Sequence, residues 1–236
     1  MRYARNESFS NQIDEVLNNT YDRNNLIYMG NTPIRLQQIL GLKKLPMLIT
    51  PKHVYTICVS KAKAISEKRF SQRVLSKTHF HNLGKSTLCE IPELLNKPLM
   101  IIKSTTKSDD SRAIIVLDKS DNNGKYIVVA IEPNLFGNYL NVRLGSNFVL
   151  SAYGKDSIIN YVNTAKNEGR ILYVNKRNNS QQRQNAPGVK FPDRIMSADY
   201  SNSLSRYRSI VNGTFKNIYD RKSGNRAGEK PRRGEV

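Results

Sequence analysis

Residues 113–131 read AIIVLDKSDNNGKYIVVAI, and this stretch decides the fold class of the chain. Two runs of aliphatic residues, Ala113–Leu117 and Tyr126–Ile131, flank the turn sequence Asp121-Asn-Asn-Gly124. Apolar runs of this length, bounded by turn residues, are typical of buried strands. Asn-Gly is favoured where a hairpin turn needs a positive φ. The stretch therefore predicts an antiparallel hairpin.

Further apolar runs indicate that the sheet continues on both sides of the hairpin. They cover Pro98–Ser104, Asn147–Ser151 and Ile171–Val174. Most of the helical signals come before these runs. A set of helices followed by a meander predicts an α+β fold, in which N-terminal helices pack on one face of an antiparallel sheet.

Helix-start signals locate several of these helices. Thr32-Pro33 and Thr50-Pro51 each combine an N-cap residue with a proline suited to the first helical position. Thr87-Leu-Cys-Glu90 matches a capping box, so His81 is expected on the loop that enters a helix. Asp156 is expected to cap a helix after the sheet.

Changes in composition divide the chain into three parts. Residues 1–25 are interpreted as an adaptor helix and an Asn-rich linker, and residues 26–177 as the domain proper. Residues 176–236 carry 14 Lys or Arg against 5 acids and show little apolar periodicity. A segment of this kind buries too little apolar area to offset its conformational entropy. Residues 178–236 are therefore predicted to be a basic, largely disordered tail, with a short anchored piece near 189–192 or 207–210.

The charge of the chain indicates a polyanionic partner. Its 236 residues include 38 Lys or Arg against 19 acids, a formal net charge of +19. RNA, DNA and an anionic membrane surface are the physical candidates, and RNA is the preferred one. The first residues contain no apolar stretch of signal-peptide length, and no apolar run is long enough to cross a bilayer, so no signal peptide is expected. No membrane partner is predicted, and cytoplasmic action, or delivery into the cytoplasm of a target cell, is expected.

The segment Ser60–Lys77 is the most basic part of the predicted domain, with Glu67 as its one acid. A solvated helix and a phosphate-binding face explain this pattern equally well, and both interpretations stay open. The candidate nucleic-acid-binding residues are Lys61, Lys63, Lys68, Arg69, Arg73 and Lys77.

The three histidines are His53, His79 and His81. RNA cleavage without a metal needs a base for the 2′-hydroxyl, an acid for the leaving 5′-oxygen and donors that stabilise the phosphorane, and imidazole serves either of the first two roles. Neither Cys58 nor Cys89 forms a metal-binding pair, and no carboxylates cluster along the sequence. No metal and no cofactor are therefore predicted.

An ordered series of short motifs resembles the phage MuF C-terminal domain family. The series runs from about Tyr28 to Lys176. Its motifs are Gly30-Asn-Thr-Pro-Ile34, Ile39-Leu40-Gly41, Leu45-Pro46-Met47, His53, His81-Asn82-Leu83, Ile91-Pro92-Glu93-Leu94-Leu95, Pro98, Ser104, Ser151-Ala-Tyr-Gly-Lys155, Gly169-Arg-Ile-Leu172 and Lys176. One departure is Asn82, because the family usually has Gly after the histidine.

The resemblance implies a relationship to the barnase, EndoU, colicin and RelE-type ribonucleases, together with their α+β architecture. It gives His81 the leading role as general acid or base. Lys155 would stabilise phosphate charge, and hydroxyl donors would come from Ser151, Tyr153 and Ser104. His53 and His79 are secondary candidates.

The function expected from this resemblance is a metal-independent endoribonuclease toxin domain of phage or mobile-element origin. An immunity protein is then a candidate partner. The alternatives are a non-catalytic nucleic-acid-binding accessory domain and a phage head-associated domain whose charge serves packaged DNA.

Overall fold

The computed structural model describes residues 8–105, 112–139, 142–175, 191, 195 and 198–210. Its strands are Ile27–Asn31 (β1), Pro46–Ile49 (β2), Met100–Lys103 (β3), Ala113–Ser120 (β4), Tyr126–Tyr139 (β5), Val142–Gly154 (β6) and Ile171–Val174 (β7). The helices are Phe9–Leu17 (α1), Ile34–Leu40 (α2), Pro51–Cys58 (α3), Lys61–Ser66 (α4), Gln72–Lys77 (α5), Gly84–Leu94 (α6), Ile158–Asn167 (α7) and 201–210 (α8).

The seven strands form one sheet in the order β1-β2-β6-β5-β4-β3-β7. This arrangement confirms the predicted α+β class. All neighbouring strands are antiparallel except β2 and β6, which run parallel with Met47 opposite Asn147 and Leu48 opposite Phe148. Because β2 ends at Ile49 while β6 continues to Gly154, no described strand pairs with the last residues of β6 on the β2 side.

The predicted central hairpin is confirmed as β4 and β5, with Ile115 opposite Val129. Its turn depends on Asp121, whose carboxylate accepts a hydrogen bond of 2.9 Å from the backbone N–H of Lys125. Gly124 has a φ of +74°, which explains the need for glycine at this position. The local sequence therefore determines the register of the two central strands.

Helices cover both faces of the sheet. On one face, α1, α3 and α6 pack in a core that includes Ile13, Ile57 and Leu88. On the other face, α7 contributes Val162 to a second core. Ile13 is fully buried, so the helix that the sequence separates as an adaptor shares the core of the domain. Because an apolar core covers each face of the sheet, polar side chains can meet where the edge of a strand is left unpaired, as at the end of β6.

Several helix boundaries differ from those predicted. The capping-box prediction was wrong, because α6 begins at Gly84 and Thr87 lies inside the helix. Ser157, not Asp156, occupies the N-cap position of α7, and its side chain makes no capping hydrogen bond. Asp156 instead forms a salt bridge of 2.6 Å with Lys125. The carboxylate of Asp156 is thus satisfied by a contact with a distant residue that the local pattern does not reveal.

Parts of the basic C-terminal segment pack onto the domain. Phe191 and Ile195 are buried in the second core, and Tyr207 is buried in the first. The Arg208 guanidinium donates to the backbone carbonyl of Ile39 at 2.9 Å. Most of the predicted tail lies outside the described residues. None of the helices in the described ranges has the length and apolarity needed to cross a membrane.

Candidate active site

The loop between α5 and α6 positions His81. The backbone N–H of His81 donates to the carbonyl of Thr56 at 2.9 Å, and that of Leu83 donates to Ile57 at 2.8 Å. Leu83 is buried beside α3, whereas His79 is exposed. The loop is thus fixed along the second half of α3, and His81 is directed toward the free edge of β6.

Asn82 adopts a left-handed backbone conformation, with a φ of +53°. Most L-residues are strained in this region, but Gly enters it freely and Asn more readily than other residues. This geometry gives a physical reason for the departure noted above, because Asn can replace the Gly that usually follows the histidine. The bend that it produces lies directly after His81.

His81 contacts two residues of β6. Its Nε2 atom lies 3.0 Å from the Oγ of Ser151, and its ring stacks on Tyr153 with centroids 5.1 Å apart at an angle of 27°. Ala152, which lies between them, points into the first core. Since side chains alternate along a strand, Ser151 and Tyr153 lie on the opposite face. His81 therefore reaches them around the edge that β2 leaves unpaired.

Burial keeps both rings of this stacked pair uncharged near neutral pH. It lowers the pKa of His81 from 6.5 to about 4, and the charge of His79 adds a smaller effect in the same direction. It also raises the pKa of Tyr153 above its ordinary value, with a further contribution from Tyr161. A neutral imidazole can accept a proton, and a neutral phenol can donate a hydrogen bond.

His53 lies near His81, in the first turn of α3. Its backbone N–H donates to the Oγ1 of Thr50 at 3.0 Å, which confirms the predicted N-cap. Burial lowers the pKa of His53 to about 4, and the charges of Lys52 and His81 make smaller contributions in the same direction. The buried Nδ1 atom of His53 has no hydrogen-bond partner among the described atoms. Two neutral histidines thus lie within electrostatic range of each other.

Lys155 lies beyond the end of β6. Its Nζ atom is 4.8 Å from the centroid of the Tyr161 ring, and its backbone N–H donates to Tyr126 at 2.9 Å. Tyr161 interacts electrostatically with Tyr153. His81, Ser151 and Tyr153 form one group of contacting side chains, the His81 cluster. Lys155 is connected to this cluster through Tyr161 and makes no direct contact with the imidazole in the described structure.

Ser104 is not brought together with His81. It follows β3, is 2% exposed, and its backbone N–H donates to the carbonyl of Arg112 at 2.9 Å. Strand β3 is separated from β6 by β4 and β5. Three strand spacings place Ser104 about 14 Å or more from Ser151. A single phosphate group does not span this distance.

The basic segment before the loop contains two different kinds of residue. Five of its six candidates, Lys61, Lys63, Lys68, Arg73 and Lys77, are exposed on or beside α4 and α5. The sixth, Arg69, is held inside the fold: its guanidinium donates to the carbonyl of Val16 at 2.7 Å and pairs with Glu67 at 2.8 Å. The five exposed residues can reach a polyanion, and one of them, Lys63, also pairs with Glu67 at 3.7 Å. Arg69 instead stabilises the end of α1.

The described residues contain no group of three or more His, Cys, Asp or Glu side chains that could hold a metal ion. Cys58 is buried, and burial, with a smaller effect of Cys89, raises the pKa of its thiol to about 12. A thiol with this pKa stays protonated at neutral pH and is a poor metal ligand or nucleophile.

Comparison with known proteins agrees with the part of the motif series that begins at His81. Residues 73–181 match the family model described as the phage MuF-C-terminal domain. The match includes His81, Ser151 and Tyr153, and it supports the phage MuF C-terminal family for this part of the chain; His53 lies before it. No curated protein and no solved structure shows significant similarity to the chain.

Proposed function

We propose that the chain is a metal-independent endoribonuclease toxin domain of phage or mobile-element origin, with His81 as its general base. The observation that carries this proposal is the His81 cluster, in which a neutral imidazole lies 3.0 Å from the Ser151 hydroxyl and stacks on Tyr153. The cluster lies beside the last residues of β6, which no described strand pairs on the β2 side, and an extended strand of RNA can approach there. The basic residues of α4 and α5 precede it directly in the chain.

The proposed reaction transfers phosphorus from the 5′-oxygen to the 2′-oxygen of the same RNA strand. His81 takes the proton of the 2′-hydroxyl, and the 2′-oxygen then forms a bond to phosphorus. The bond from phosphorus to the 5′-oxygen breaks, and that oxygen takes up a proton. The products are a 2′,3′-cyclic phosphate and a 5′-hydroxyl. No net proton or water is consumed.

Ser151 is the proposed positioning residue for His81. With its proton on Nε2, the imidazole donates to Ser151 and presents the Nδ1 lone pair to the 2′-hydroxyl. Among the groups that touch His81, Tyr153 retains its phenolic proton at neutral pH and is the candidate donor to the leaving oxygen. Lys155 contributes positive charge from a greater distance.

The Ser151–His81 pair also resembles the first two members of a hydrolase triad. A serine nucleophile of that type requires a third group that orients the base. In the described part of the chain, no carboxylate forms a hydrogen bond with His81. This observation favours base catalysis on a substrate hydroxyl over a covalent serine intermediate.

The test is to incubate the purified protein with total RNA in excess EDTA. We expect fragments that end in 2′,3′-cyclic phosphate and 5′-hydroxyl groups. His81→Ala should lower the cleavage rate by roughly two to four orders of magnitude. His79→Ala is the matched comparison, because His79 is exposed and lies two residues away.

Two outcomes would contradict this proposal. Activity that EDTA abolishes and Mg²⁺ or Zn²⁺ restores would exclude the metal-independent route. RNA binding without cleavage, unchanged by His81→Ala, would favour the non-catalytic nucleic-acid-binding domain or the phage head-associated domain.

A further inference from the structure

A cavity of about 270 Å³ lies beside the first turn of α3. The residues that follow α1 form one of its walls, and the connection between α4 and α5 forms another. Three aromatic rings line it: Tyr21, Tyr55 and Phe70. Tyr55 is 3% exposed, whereas Tyr21 and Phe70 are half-buried. The cavity therefore offers flat apolar walls.

Three cationic side chains also line this cavity, and no Asp or Glu does. Arg69 is fixed by its contacts with backbone carbonyls and Glu67, so its charge has a defined position. Arg23 donates to the Oδ1 of Asn19 at 3.0 Å. Neither Arg23 nor Lys52 lies within ion-pair distance of a carboxylate in the described residues. Arg23 and Lys52 can thus receive an anion without breaking an ion pair.

Flat apolar walls and unpaired cations together define the chemistry of the ligand. Sites for drug-sized molecules usually have volumes of about 300–1,000 Å³, so this cavity suits a ligand with one ring system. Aromatic side chains stack on nucleobases, and Arg or Lys binds phosphate. We propose that the cavity is a binding subsite for one nucleotide of single-stranded RNA, with the base against Phe70 and Tyr21 and the phosphate at Arg23 and Lys52.

The proposed subsite adjoins the candidate active site at two points. Lys52 directly precedes His53 in α3. Phe70 contacts Phe80 with ring centroids 6.2 Å apart, and Phe80 directly precedes His81. A strand with one base in the cavity would therefore continue toward His81. In this respect the inference rests on the proposed function, because it assigns the cavity to the RNA that His81 would cleave.

Nucleotide binding is measurable without any cleavage. The full chain is titrated with AMP, CMP, GMP and UMP, and separately with ribose 5-phosphate, and binding is followed by NMR. The mononucleotides should bind with a Kd on the order of tenfold lower than ribose 5-phosphate, because a stacked base contributes roughly 1–3 kcal/mol, which corresponds to about 5- to 160-fold. Equal affinity for ribose 5-phosphate would overturn the proposal and leave only a general anion site.

Substitutions then locate the bound nucleotide. Phe70→Leu keeps apolar bulk but removes the ring, and Arg23→Gln removes one charge. Each should raise the Kd for mononucleotides about fivefold or more. The matched controls are Ile34→Ala and Lys97→Gln, because both residues are exposed and lie outside the cavity lining. Circular dichroism melting curves identify any variant that fails to fold, and Arg23→Gln at the surface provides a second test if Phe70→Leu does fail.

Failure of this inference and failure of the proposed function give different results. His81→Ala should bind mononucleotides as tightly as the unsubstituted chain. If Phe70→Leu and Arg23→Gln weaken nucleotide binding but RNA is never cleaved, the subsite is supported and the ribonuclease proposal is wrong. If RNA is cleaved in EDTA and both substitutions leave nucleotide affinity unchanged, the subsite alone is overturned.

Discussion

His81 and Ser151 are separated by 70 positions in the chain, yet their Nε2 and Oγ atoms lie 3.0 Å apart. This hydrogen bond joins the loop before α6 to the edge of β6. It fixes the plane of the imidazole relative to the Tyr153 ring, on which His81 stacks. The orientation of the proposed base therefore depends on one hydroxyl group, and that dependence can be measured.

Ser151→Ala should lower the cleavage rate by up to about 100-fold, because an imidazole that is misplaced by about 1 Å loses most of its alignment with the substrate. The effect should fall on kcat more than on KM, since Ser151 positions the base and is not required for RNA binding. Ser86→Ala, at an exposed position of α6, is the control and should leave both constants unchanged. An unchanged kcat for Ser151→Ala would show that the hydrogen bond does not position the base.

The acidic limb of the pH–rate profile should lie near pH 4. Burial lowers the pKa of His81 to about 4, so the base remains unprotonated well below the ordinary value of 6.5. Measurement of kcat/KM between pH 3.5 and 8 tests this expectation, because kcat/KM reports the pKa of the free enzyme. NMR titration of the His81 ring gives its pKa directly. A limb near pH 6.5 would place the active imidazole in an exposed environment instead.

The lowered pKa values of His53 and His81 also predict a dependence of stability on pH. Unfolded imidazoles take up protons near pH 6.5, whereas the folded ones do so only near pH 4. The stability that these residues contribute is thus complete above about pH 6.5 and declines as the pH falls toward 4. The free energy of unfolding, measured with urea, should be lower at pH 5.5 than at pH 7.5. The difference between the two pH values should be smaller in the His53→Gln variant. An equal loss in the variant would assign the effect to other groups.

Asn82→Ala should lower the free energy of unfolding by roughly 1 kcal/mol, because Ala is strained at a φ of +53°. Asn82→Gly should have a small effect, since Gly adopts this conformation freely. Asn167→Ala, at the exposed end of α7, is the matched control. Urea unfolding of the three variants gives the comparison, and equal stability of Asn82→Ala and Asn82→Gly would contradict the argument.

Two truncated chains should separate the contribution of residues 178–210 from that of residues 211–236. A chain that ends at Ile210 loses seven Lys or Arg and three acids, so its RNA affinity and the salt dependence of that affinity should both fall. Its Tm should change little. A chain that ends at Arg177 also loses Tyr207, which is 1% exposed. Its Tm should drop clearly.

Tyr207→Ala isolates the packing part of this effect. Removal of a large buried ring should cost about 3 kcal/mol or more. Arg206→Ala, at the exposed neighbouring position, should cost little. Equal melting temperatures for the two variants would show that α8 does not stabilise the domain.

The sequence predicted the features of this fold that depend on local signals. The hairpin of β4 and β5 and the start of α3 at Thr50-Pro51 were correct, because a turn or a cap determines each of them. Strands β1 and β2 were missed. They are five and four residues long and are stabilised mainly by pairing with each other and with β6, which no local pattern reveals.

The candidate site was predictable in part for the same reason. Ser151 and Tyr153 are two residues apart on one strand, so their shared face follows from alternation. The distance between Ser104 and Ser151 depends on the order of the strands in the sheet, which no local pattern reveals. The cavity beside α3 was not predicted at all, because its lining comes from three segments that are far apart in the chain.

The parallel pairing of β2 with β6 has a consequence for the synthesis of this protein. Met47 pairs with Asn147, so about one hundred further residues must be synthesised after β2 before its partner strand β6 is present. A nascent chain that has reached only the first half of β6 already contains His81 but lacks Ser151 and Tyr153. The ribosome that makes the protein, and the message that it reads, are therefore not exposed to an assembled His81 cluster until translation has passed the end of β6.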